Sequence, residues 1–255
     1  MKNPQTIVIT GASSGLGEAL AYRYAIAGHT LHLHGRNRER LERVAKQCER
    51  QGAMVCIEIG DVTDREAMAR WLLATDTATP IDLLIANAGI SAGTGVQGES
   101  PKQAKRIFAT NIDGVLNTID PVIARMVERG NGQIALISSL AGIRGLPSSP
   151  AYSASKAWVR VYGEALRGWL CHRGVEISVV CPGYIKTPMT DVNNFPMPFI
   201  MNAAKAAHII AGGLARNRAR IAFPRLLYWP LWWLSCLPTA WSDLIFSRLP
   251  AKPSL

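Results

Sequence analysis

Short apolar runs alternate with longer stretches of mixed polarity along most of the chain. The apolar runs are rich in β-branched residues and nearly continuous, which is typical of strands buried on both faces of a parallel sheet. We predict strands over residues 6–10, 30–34, 53–59, 81–86, 133–137, 175–181 and 220–223. We predict helices over residues 12–27, 38–51, 64–75, 100–129 and 152–173. Repeated strand–helix units predict an α/β fold, a doubly wound, Rossmann-like parallel sheet in a single domain, followed by an apolar C-terminal extension.

Composition narrows the class of protein. Hydrophobic residues make up 48% and charged residues 18% of the 255 residues, which excludes a disordered or fibrous chain. Lysine and arginine outnumber the acidic residues by 28 to 18, and the net charge of +10 predicts attraction to anions. Because no nucleic-acid-binding motif accompanies this charge, we expect no nucleic-acid partner.

The cysteine and histidine patterns argue against disulfides and metals. The five cysteines are odd in number and include no CxxC pair, so a reducing, cytoplasmic location is expected. The N-terminal residues do not show the pattern of a signal peptide. His32 and His34 share one face of a predicted strand without a further ligand at suitable spacing, and we predict no metal site.

A glycine-rich turn, TGASSGLG at residues 10–17, joins the first predicted strand to the first predicted helix. Glycine lets the backbone approach a ligand closely, and the free N–H groups of a helix N-terminus bind a pyrophosphate. A turn without a ligand is the alternative, but the strand–turn–helix context favours dinucleotide binding. The candidate contacts are Gly11, Ser13, Ser14, Gly15, Leu16 and Gly17.

Three further motifs follow the turn in order. The sequence NAG occupies residues 87–89 after the fourth predicted strand, Ser139 follows the fifth, and YSASK runs from Tyr152 to Lys156. Ser139 lies 13 residues before Tyr152. In this order and spacing, the motifs resemble those of the short-chain dehydrogenase/reductase family over about residues 5–190.

The resemblance implies an oxidoreductase that binds a nicotinamide dinucleotide, and we expect a homo-oligomer, either a dimer or a tetramer. It adds Asn87, Ala88 and Gly89 to the cofactor contacts. It matches Asn111 to the residue that holds a water in a proton relay, and it implies that Lys156 contacts the nicotinamide ribose.

The residue types at Ser139, Tyr152 and Lys156 suit carbonyl chemistry. Tyr152 and Lys156 are four residues apart, so on a helix they share one face. A nearby ammonium stabilises a phenolate and lowers the phenol pKa, which makes the tyrosine a usable general acid or base. Ser139 can hydrogen-bond a carbonyl oxygen as charge develops on it. An isolated pair of this spacing would indicate a surface helix, but Ser139 and the glycine turn favour catalysis.

The end of the second predicted strand indicates the cofactor. A carboxylate there would bind a ribose 2′-hydroxyl, whereas this chain has Gly35 and Arg36, and an arginine pairs well with a 2′-phosphate. A solvated first turn of the next helix is the alternative for Arg36. We therefore predict NADP(H), and with it reduction, with Ser13 as a further phosphate contact. Asp61 and Val62 resemble the adenine contact of the family, and a plain helix-capping aspartate is the alternative.

Two segments after the sixth predicted strand flank the expected site. Pro182, Gly183, Ile185 and Thr187 resemble the family segment that meets the nicotinamide carboxamide, with a plain turn as the alternative. Residues 191–201 are rich in Pro, Met, Phe and Asn and lack a helical pattern, which is typical of a substrate lid.

The C-terminal part departs from the common family pattern. Residues 226–242 contain no charged side chain and hold four of the seven tryptophans. This length is at the short limit for crossing a bilayer, and tryptophan prefers the interface, so a membrane-surface segment is favoured. A cap over the substrate cleft, an oligomer contact and a true span are the alternatives. The basic flanks of the segment are Arg216, Arg218, Arg220, Arg225, Arg248 and Lys252.

These patterns together predict a catalytic domain over residues 1–223 and an apolar, tryptophan-rich segment over residues 224–255. The expected activity is an NADP(H)-dependent interconversion of a lipophilic ketone or aldehyde and its alcohol, running as a reduction. The expected location is cytoplasmic, at the inner face of a membrane. A non-catalytic NADP(H)-binding sensor or scaffold is the alternative, but such a protein has no need of a tuned tyrosine.

Overall fold

Parallel strands form the centre of the molecule in the computed structural model, which describes residues 3–95, 98–246 and 252. The main sheet consists of β1 (Thr6–Thr10), β2 (Thr30–Gly35), β3 (Met54–Ile59), β4 (Leu83–Ala86), β5 (Gly132–Ile137), β6 (Val175–Pro182) and β9 (Arg220–Phe223). A separate short parallel pair consists of β7 (Ile185–Lys186) and β8 (Met201–Asn202).

Helices follow most of the strands. They are α1 (Gly15–Tyr24), α2 (Arg38–Arg50), α3 (Arg65–Ala78), α4 (Pro101–Phe108), α5 (Gly114–Glu128), α6 (Pro150–Leu170), α7 (Pro188–Asp191), α8 (Ala203–Ala215), α9 (Arg225–Cys236) and α10 (Thr239–Phe246).

The order of strands across the main sheet is β3-β2-β1-β4-β5-β6-β9, and every neighbouring pair is parallel. The strand order reverses next to β1, where β4 pairs with the side that β2 leaves free. This arrangement confirms the predicted doubly wound, Rossmann-like sheet. Ligands bind to such sheets beyond the carboxyl ends of the strands at the reversal, which are β1 and β4 here.

Two apolar layers enclose the sheet. On one side, Leu20 of α1, Leu41 of α2 and Ile210 of α8 belong to the same buried cluster as β1 residues. On the other side, the buried cluster includes side chains of α3, α5 and α6 together with β4, β5 and β6. Every residue of β1, β4 and β5 is buried, as their apolar sequences predict. The carboxyl ends of these strands are therefore held rigidly between two helical layers.

The predicted helix over residues 100–129 is interrupted in the structure. It divides into α4, a π-helical turn over Ala109–Asp113, and α5. A π turn widens the helix by one residue, so Asn111 points in a direction that a regular helix would not give it. The predicted helix over residues 12–27 also shortens, because the residues before Gly15 form the glycine turn.

The apolar C-terminal segment forms the two helices α9 and α10. Within the described ranges, no helix has both the length and the apolar composition needed to cross a bilayer. The basic flank predicted for this segment does not assemble around it. Arg220 pairs with Glu164 and donates to the Tyr228 hydroxyl at 3.0 Å. Arg216 and Arg218 precede β9 and so lie at the end of the sheet opposite α9.

Of the predicted flank, two described residues contact or belong to α9: Arg225 is the first residue of that helix, and Arg220 contacts it at Tyr228, with its charge paired with Glu164. Arg248 lies outside the described residues. Lys252 does not flank the helices at all, because its side chain lies in the cavity described below.

Candidate active site

A cavity of about 560 Å³ lies beyond the carboxyl ends of β1, β4, β5 and β6. It extends from the glycine turn to α9. The predicted site residues that line it are Gly11, Ser13, Ser14, Gly15, Leu16, Arg36, Asp61, Val62, Asn87, Ala88, Gly89, Ser139, Tyr152, Lys156, Pro182, Gly183, Ile185 and Thr187. Gly17 and Asn111 do not line it.

The glycine turn has the geometry of a dinucleotide cradle. Gly11 and Gly15 adopt φ angles of 67° and 61°, which residues with a Cβ rarely adopt. Ser14 caps α1 without a side-chain hydrogen bond, so the first N–H groups of the helix face the cavity free to bind an anion. Gly17 lies behind the turn, where a Cβ would overlap the Gly11 carbonyl. Gly17 therefore shapes the turn, and its part as a cofactor contact stays a prediction.

Asn87 joins the ends of β1 and β4. Its Nδ2 donates to the carbonyl of Thr10 at 2.9 Å and to that of Gly11 at 3.2 Å. In return, the Thr10 hydroxyl accepts from the backbone N–H groups of Asn87 and Ala88. These bonds hold the NAG motif against the glycine turn at the floor of the cavity.

Asn111 is fully buried behind Gly89. Its Oδ1 accepts from the Ile90 N–H at 2.8 Å, and its Nδ2 donates to the Ile90 carbonyl at 3.0 Å and to the Ser155 hydroxyl at 2.9 Å. The side chain thus connects the loop after β4 to α6 and does not reach the cavity. A part for Asn111 in a proton relay stays a prediction.

Tyr152 and Ser139 meet at the centre of the cavity. Tyr152 lies in the first turn of α6, and Ser139 follows the end of β5. Both side chains line the cavity, and the Ser139 hydroxyl accepts from the Ala141 N–H at 3.1 Å. The Ser138 hydroxyl donates to the Lys156 carbonyl at 2.6 Å, and Gly142 lies against the same carbonyl, where a Cβ would not fit. Both contacts hold α6 against the end of β5, so the two hydroxyls are positioned by packed backbone.

Burial dominates the titration of this site. It raises the pKa of Tyr152 above the ordinary value, although the nearby Ser139 hydroxyl acts in the opposite direction. It lowers the pKa of Lys156 to about 8. The Lys156 ammonium donates to the Ile137 carbonyl at 2.8 Å and lies 5.9 Å from the centre of the Tyr152 ring. The expectation that the ammonium lowers the phenol pKa is therefore not met in this structure, because the cost of burying a phenolate is larger.

The far end of the cavity carries the residues expected at the adenosine. Arg36 is more than half exposed and forms an ion pair with Asp61 at 3.4 Å. Burial raises the pKa of Asp61, but hydrogen bonds from Thr63 and the Arg36 charge outweigh it, so that the pKa lies below its ordinary value. Gly35 leaves space beside Ser13, because a Cβ there would lie 3.2 Å from the Ser13 hydroxyl. Arg36 thus lies at the cavity wall with its guanidinium accessible.

The segment after β6 closes the cavity on one side. Thr187 contacts the glycine turn, because a Cβ on Gly15 would lie 3.1 Å from its methyl group. β7 pairs with β8 and so brings the chain before the predicted lid next to the end of the lid, and Phe195, Pro196 and Pro198 of the lid line the cavity. Asp191 is the last residue of α7, and the lid then has no helix or strand until β8 begins at Met201.

Comparison with known proteins agrees with this geometry. The sequence profile described as short chain dehydrogenase matches residues 5–196. The chain belongs to the short-chain dehydrogenase family. It is 36% identical to an uncharacterized oxidoreductase of Myxococcus xanthus, over 96% of this chain and 97% of that protein. It is 35% identical to a ketoacyl reductase of Nostoc sp. over 73% of this chain and 66% of that protein.

Solved structures show the same fold. A short-chain dehydrogenase from Sphingobium yanoikuyae in complex with NADPH superposes with a TM-score of 0.80 at 25% identity, over 95% of this chain and 93% of that one. A short-chain dehydrogenase from Mycobacterium paratuberculosis bound to NAD superposes with a TM-score of 0.76 at 23% identity, over 87% and 96%. The present chain is therefore an oxidoreductase of a family whose fold binds a nicotinamide cofactor.

The C-terminal helices of this dehydrogenase supply a cavity wall that the sequence did not resolve. Leu227, Leu231 and Leu234 on α9 and Phe246 on α10 line the cavity. The opposite face of the same helices is exposed to solvent, with large apolar side chains at Leu226, Trp229, Trp233, Trp241, Leu244 and Ile245. The uncharged run indicated an apolar segment, but it gave no sign of which face would turn inward.

Lys252 is a second cavity residue that the sequence did not indicate. Its ammonium lies 5.3 Å from the centre of the Tyr152 ring, on the catalytic side of the cavity. A lone lysine near the end of the chain carries no local signal for such a position, since only the path of the whole chain brings it there.

Proposed function

We propose that this short-chain dehydrogenase reduces a lipophilic ketone or aldehyde with NADPH. The observation that carries the proposal is the placement of Ser139 and Tyr152 together in a cavity with an apolar outer wall. A raised pKa keeps Tyr152 protonated at neutral pH, and a protonated phenol is the form that donates to a carbonyl oxygen. The protonated phenol suits reduction, and the proposed choice of NADPH points to the same direction.

Each residue of the pair has a distinct task in this proposal. When bound, the reduced nicotinamide supplies the hydride that the carbonyl carbon receives. Tyr152 donates its hydroxyl proton to the carbonyl oxygen, which becomes the alcohol. Ser139 hydrogen-bonds the same oxygen while negative charge develops on it. The Lys156 ammonium, which donates to the Ile137 carbonyl, keeps a positive charge near the Tyr152 ring. It faces the expected position of the nicotinamide ribose.

The choice of NADPH rests on Arg36. The end of β2 offers no carboxylate for a 2′-hydroxyl, and the accessible guanidinium of Arg36 can pair with a 2′-phosphate in place of Asp61. Arg40 lines the same end of the cavity and adds positive charge. The glycine cradle, the free N-terminus of α1 and these arginines together fit a phosphorylated dinucleotide.

A lipophilic substrate is supported by the other end of the cavity. Leucines of α9, Phe246 of α10 and the aromatic ring of Phe195 form its outer wall. A polar substrate would leave its polar groups without hydrogen-bond partners against this wall. An apolar substrate instead gains free energy when its surface is buried there. The scaffold alternative is disfavoured, because the contact between Ser139 and Tyr152 serves no purpose in binding alone.

Turnover of a ketone panel tests the proposed function. We expect consumption of NADPH with bulky apolar ketones and aldehydes, at a kcat/KM at least about tenfold above that for short polar ketones. The measurement is the loss of NADPH absorbance, with NADH as the comparison cofactor. Absence of turnover across the panel, with NADPH nonetheless bound, would instead support the sensor or scaffold.

The outer face of α9 and α10 supports a peripheral membrane contact. Trp229, Trp233 and Trp241 are each more than half exposed, and tryptophan is favoured at the lipid interface. The inner face of α9 lines the cavity, so a lipid-bound enzyme would receive an apolar substrate at the mouth of its site. Because the Arg220 charge is paired with Glu164, Arg225 is the residue of the described basic flank that is left beside α9 to attract anionic lipid, and the contact depends mainly on apolar area.

Vesicle binding measures this contact. We expect the double variant Trp229→Ser/Trp233→Ser to bind mixed anionic vesicles about tenfold or more weakly than the wild type in co-sedimentation. High salt should weaken wild-type binding only about fivefold, as for a single arginine. Trp169→Ser, at an equally exposed tryptophan on α6, is the matched control. Equal vesicle binding by all variants would rule out the membrane contact. A loss of vesicle binding that is due only to a change of oligomeric state would also rule it out.

The remaining parts of the proposal concern assembly and location. A homo-oligomer, the division of the chain at residue 223 and a cytoplasmic location at the inner face of a membrane stay predictions. All five cysteines are free, which supports a reducing compartment. Light scattering of the purified chain measures the oligomeric state.

A further inference from the structure

The loop after β4 forms a seat for Lys252. The main-chain carbonyl of Lys252 accepts from the Gly95 N–H at 2.8 Å, and the Lys252 ammonium donates to the Ser91 hydroxyl. The ammonium also lies over the Tyr152 ring, 5.3 Å from its centre. One main-chain contact and two contacts of the ammonium thus hold Lys252 on the catalytic side of the cavity.

Gly93 provides the space for that seat. A Cβ at Gly93 would overlap both the Cβ and the carbonyl of Lys252. Any other residue at this position would therefore displace the lysine or the loop. The absence of a side chain at Gly93 is a feature of the seat that is independent of the polar contacts.

The charge of Lys252 has no partner within the described part of the cavity wall. Asp61 is the acidic residue among the described lining residues, and it lies at the opposite end of the cavity, paired with Arg36. Burial lowers the pKa of Lys252 to about 8, which leaves most of the side chain charged at neutral pH. A partly buried ammonium without a counter-charge is costly, and a ligand that brings an anion would recover that cost.

We propose that Lys252 binds a carboxylate of the substrate, so that the preferred substrates are lipophilic oxo acids with the acid group near the reacting carbonyl. The proposal rests on the proposed function and names the substrate class of the same site. The Tyr152 hydroxyl and the Lys252 ammonium belong to, or lie over, one aromatic ring. A single small molecule can therefore place its carbonyl at the first and its carboxylate at the second, while its apolar body lies against α9.

The test compares an apolar oxo acid with its own methyl ester. We expect Lys252→Met to lower kcat/KM for the acid about 10- to 100-fold, mainly through KM, because a hydrogen-bonded ionic contact is lost. The ester should change less than about threefold. Lys252→Arg should retain part of the preference for the acid, since the charge remains. Lys46→Met, at an exposed lysine of α2, is the matched control and should change neither substrate.

A second variant leaves the lysine in the chain. Gly93→Ala should displace Lys252 and reproduce the loss of acid preference, although both lysine and tyrosine are intact. An equal fall for acid and ester in Lys252→Met would overturn the proposal, because it would mean that the charge acts on Tyr152 alone. An equal rise for both would also overturn it, since Lys252 would then obstruct the cavity.

Binding of a saturated carboxylic acid separates this proposal from the proposed function. Calorimetry with such a non-reacting acid, in the presence of NADPH, requires no turnover. We expect its Kd to rise about tenfold or more in Lys252→Met and to stay unchanged in Lys46→Met. If no ketone is reduced but this difference is found, the reaction is wrong and the anion subsite stands. An unchanged Kd would overturn the subsite, whatever the turnover.

Discussion

Replacement of Tyr152 by phenylalanine is expected to lower kcat at least about 1000-fold, while the Kd for NADPH changes by less than about twofold. The hydroxyl supplies the proton that the carbonyl oxygen receives, and its raised pKa keeps that proton in place at neutral pH. The ring itself remains near the ammonium groups of Lys156 and Lys252, so the cavity keeps its shape. Turnover of an apolar ketone gives kcat, and NADPH fluorescence titration gives the Kd.

Two further variants complete this experiment. Ser139→Ala should lower kcat about 100-fold, because one hydrogen bond to the developing charge is lost. Tyr162→Phe removes a hydroxyl from the same helix, where the ring stacks on Trp158 away from the cavity, and should leave kcat unchanged. A Tyr152→Phe enzyme with more than about a tenth of wild-type kcat would show that another group donates the proton.

Arg36→Asp is expected to shift the ratio of kcat/KM for NADPH to that for NADH at least about 100-fold in favour of NADH. The change removes the guanidinium that would pair with a 2′-phosphate. It also places a second carboxylate close to Asp61, which repels that phosphate and offers an acceptor to a 2′-hydroxyl. Initial rates are measured over a series of concentrations of each cofactor at a fixed ketone concentration. They give kcat/KM for NADPH and for NADH.

Arg38→Asp is the matched control for the cofactor experiment. Arg38 carries the same charge as Arg36, two residues further along the chain, where α2 begins. It lies outside the cavity wall and pairs with Glu42. The control should shift the ratio by less than about threefold, through the general field alone. Equal shifts for both variants would mean that Arg36 has no direct contact with the phosphate and that the choice of cofactor depends on overall charge.

Local sequence patterns were sufficient to predict the sheet and most residues of the cavity wall that we propose binds the cofactor. Fully buried strands require near-continuous β-branched and apolar runs, so β1 and β9 could be predicted with the ends that the structure shows. The glycine turn and the NAG motif are equally local, because glycine is required where φ is positive or where a backbone approaches closely. The spacing of Tyr152 and Lys156 depends only on helix geometry.

Features that depend on distant contacts could not be predicted in this way. The direction of the Tyr152 pKa depends on how completely the surrounding chain excludes water, which spacing alone does not show. The Asn111 side chain does not line the cavity, because a π turn and hydrogen bonds with Ile90 and Ser155 direct it elsewhere. The arginines before the tryptophan-rich segment are neighbours in sequence, yet β9 separates two of them from α9 by its own length.

The sequence by itself determined the doubly wound sheet, because strand patterns are local, and its motifs in their order indicated the family. The residues that would bind a dinucleotide and act on a carbonyl are predictions from the same motifs. Only the tertiary structure decided which face of α9 lines the cavity and which remains exposed. It also decided that Lys252 lies beside Tyr152, although 100 residues separate them in the sequence. Contacts between residues so far apart depend on the packing of the whole chain, and packing leaves no periodic signal in the sequence.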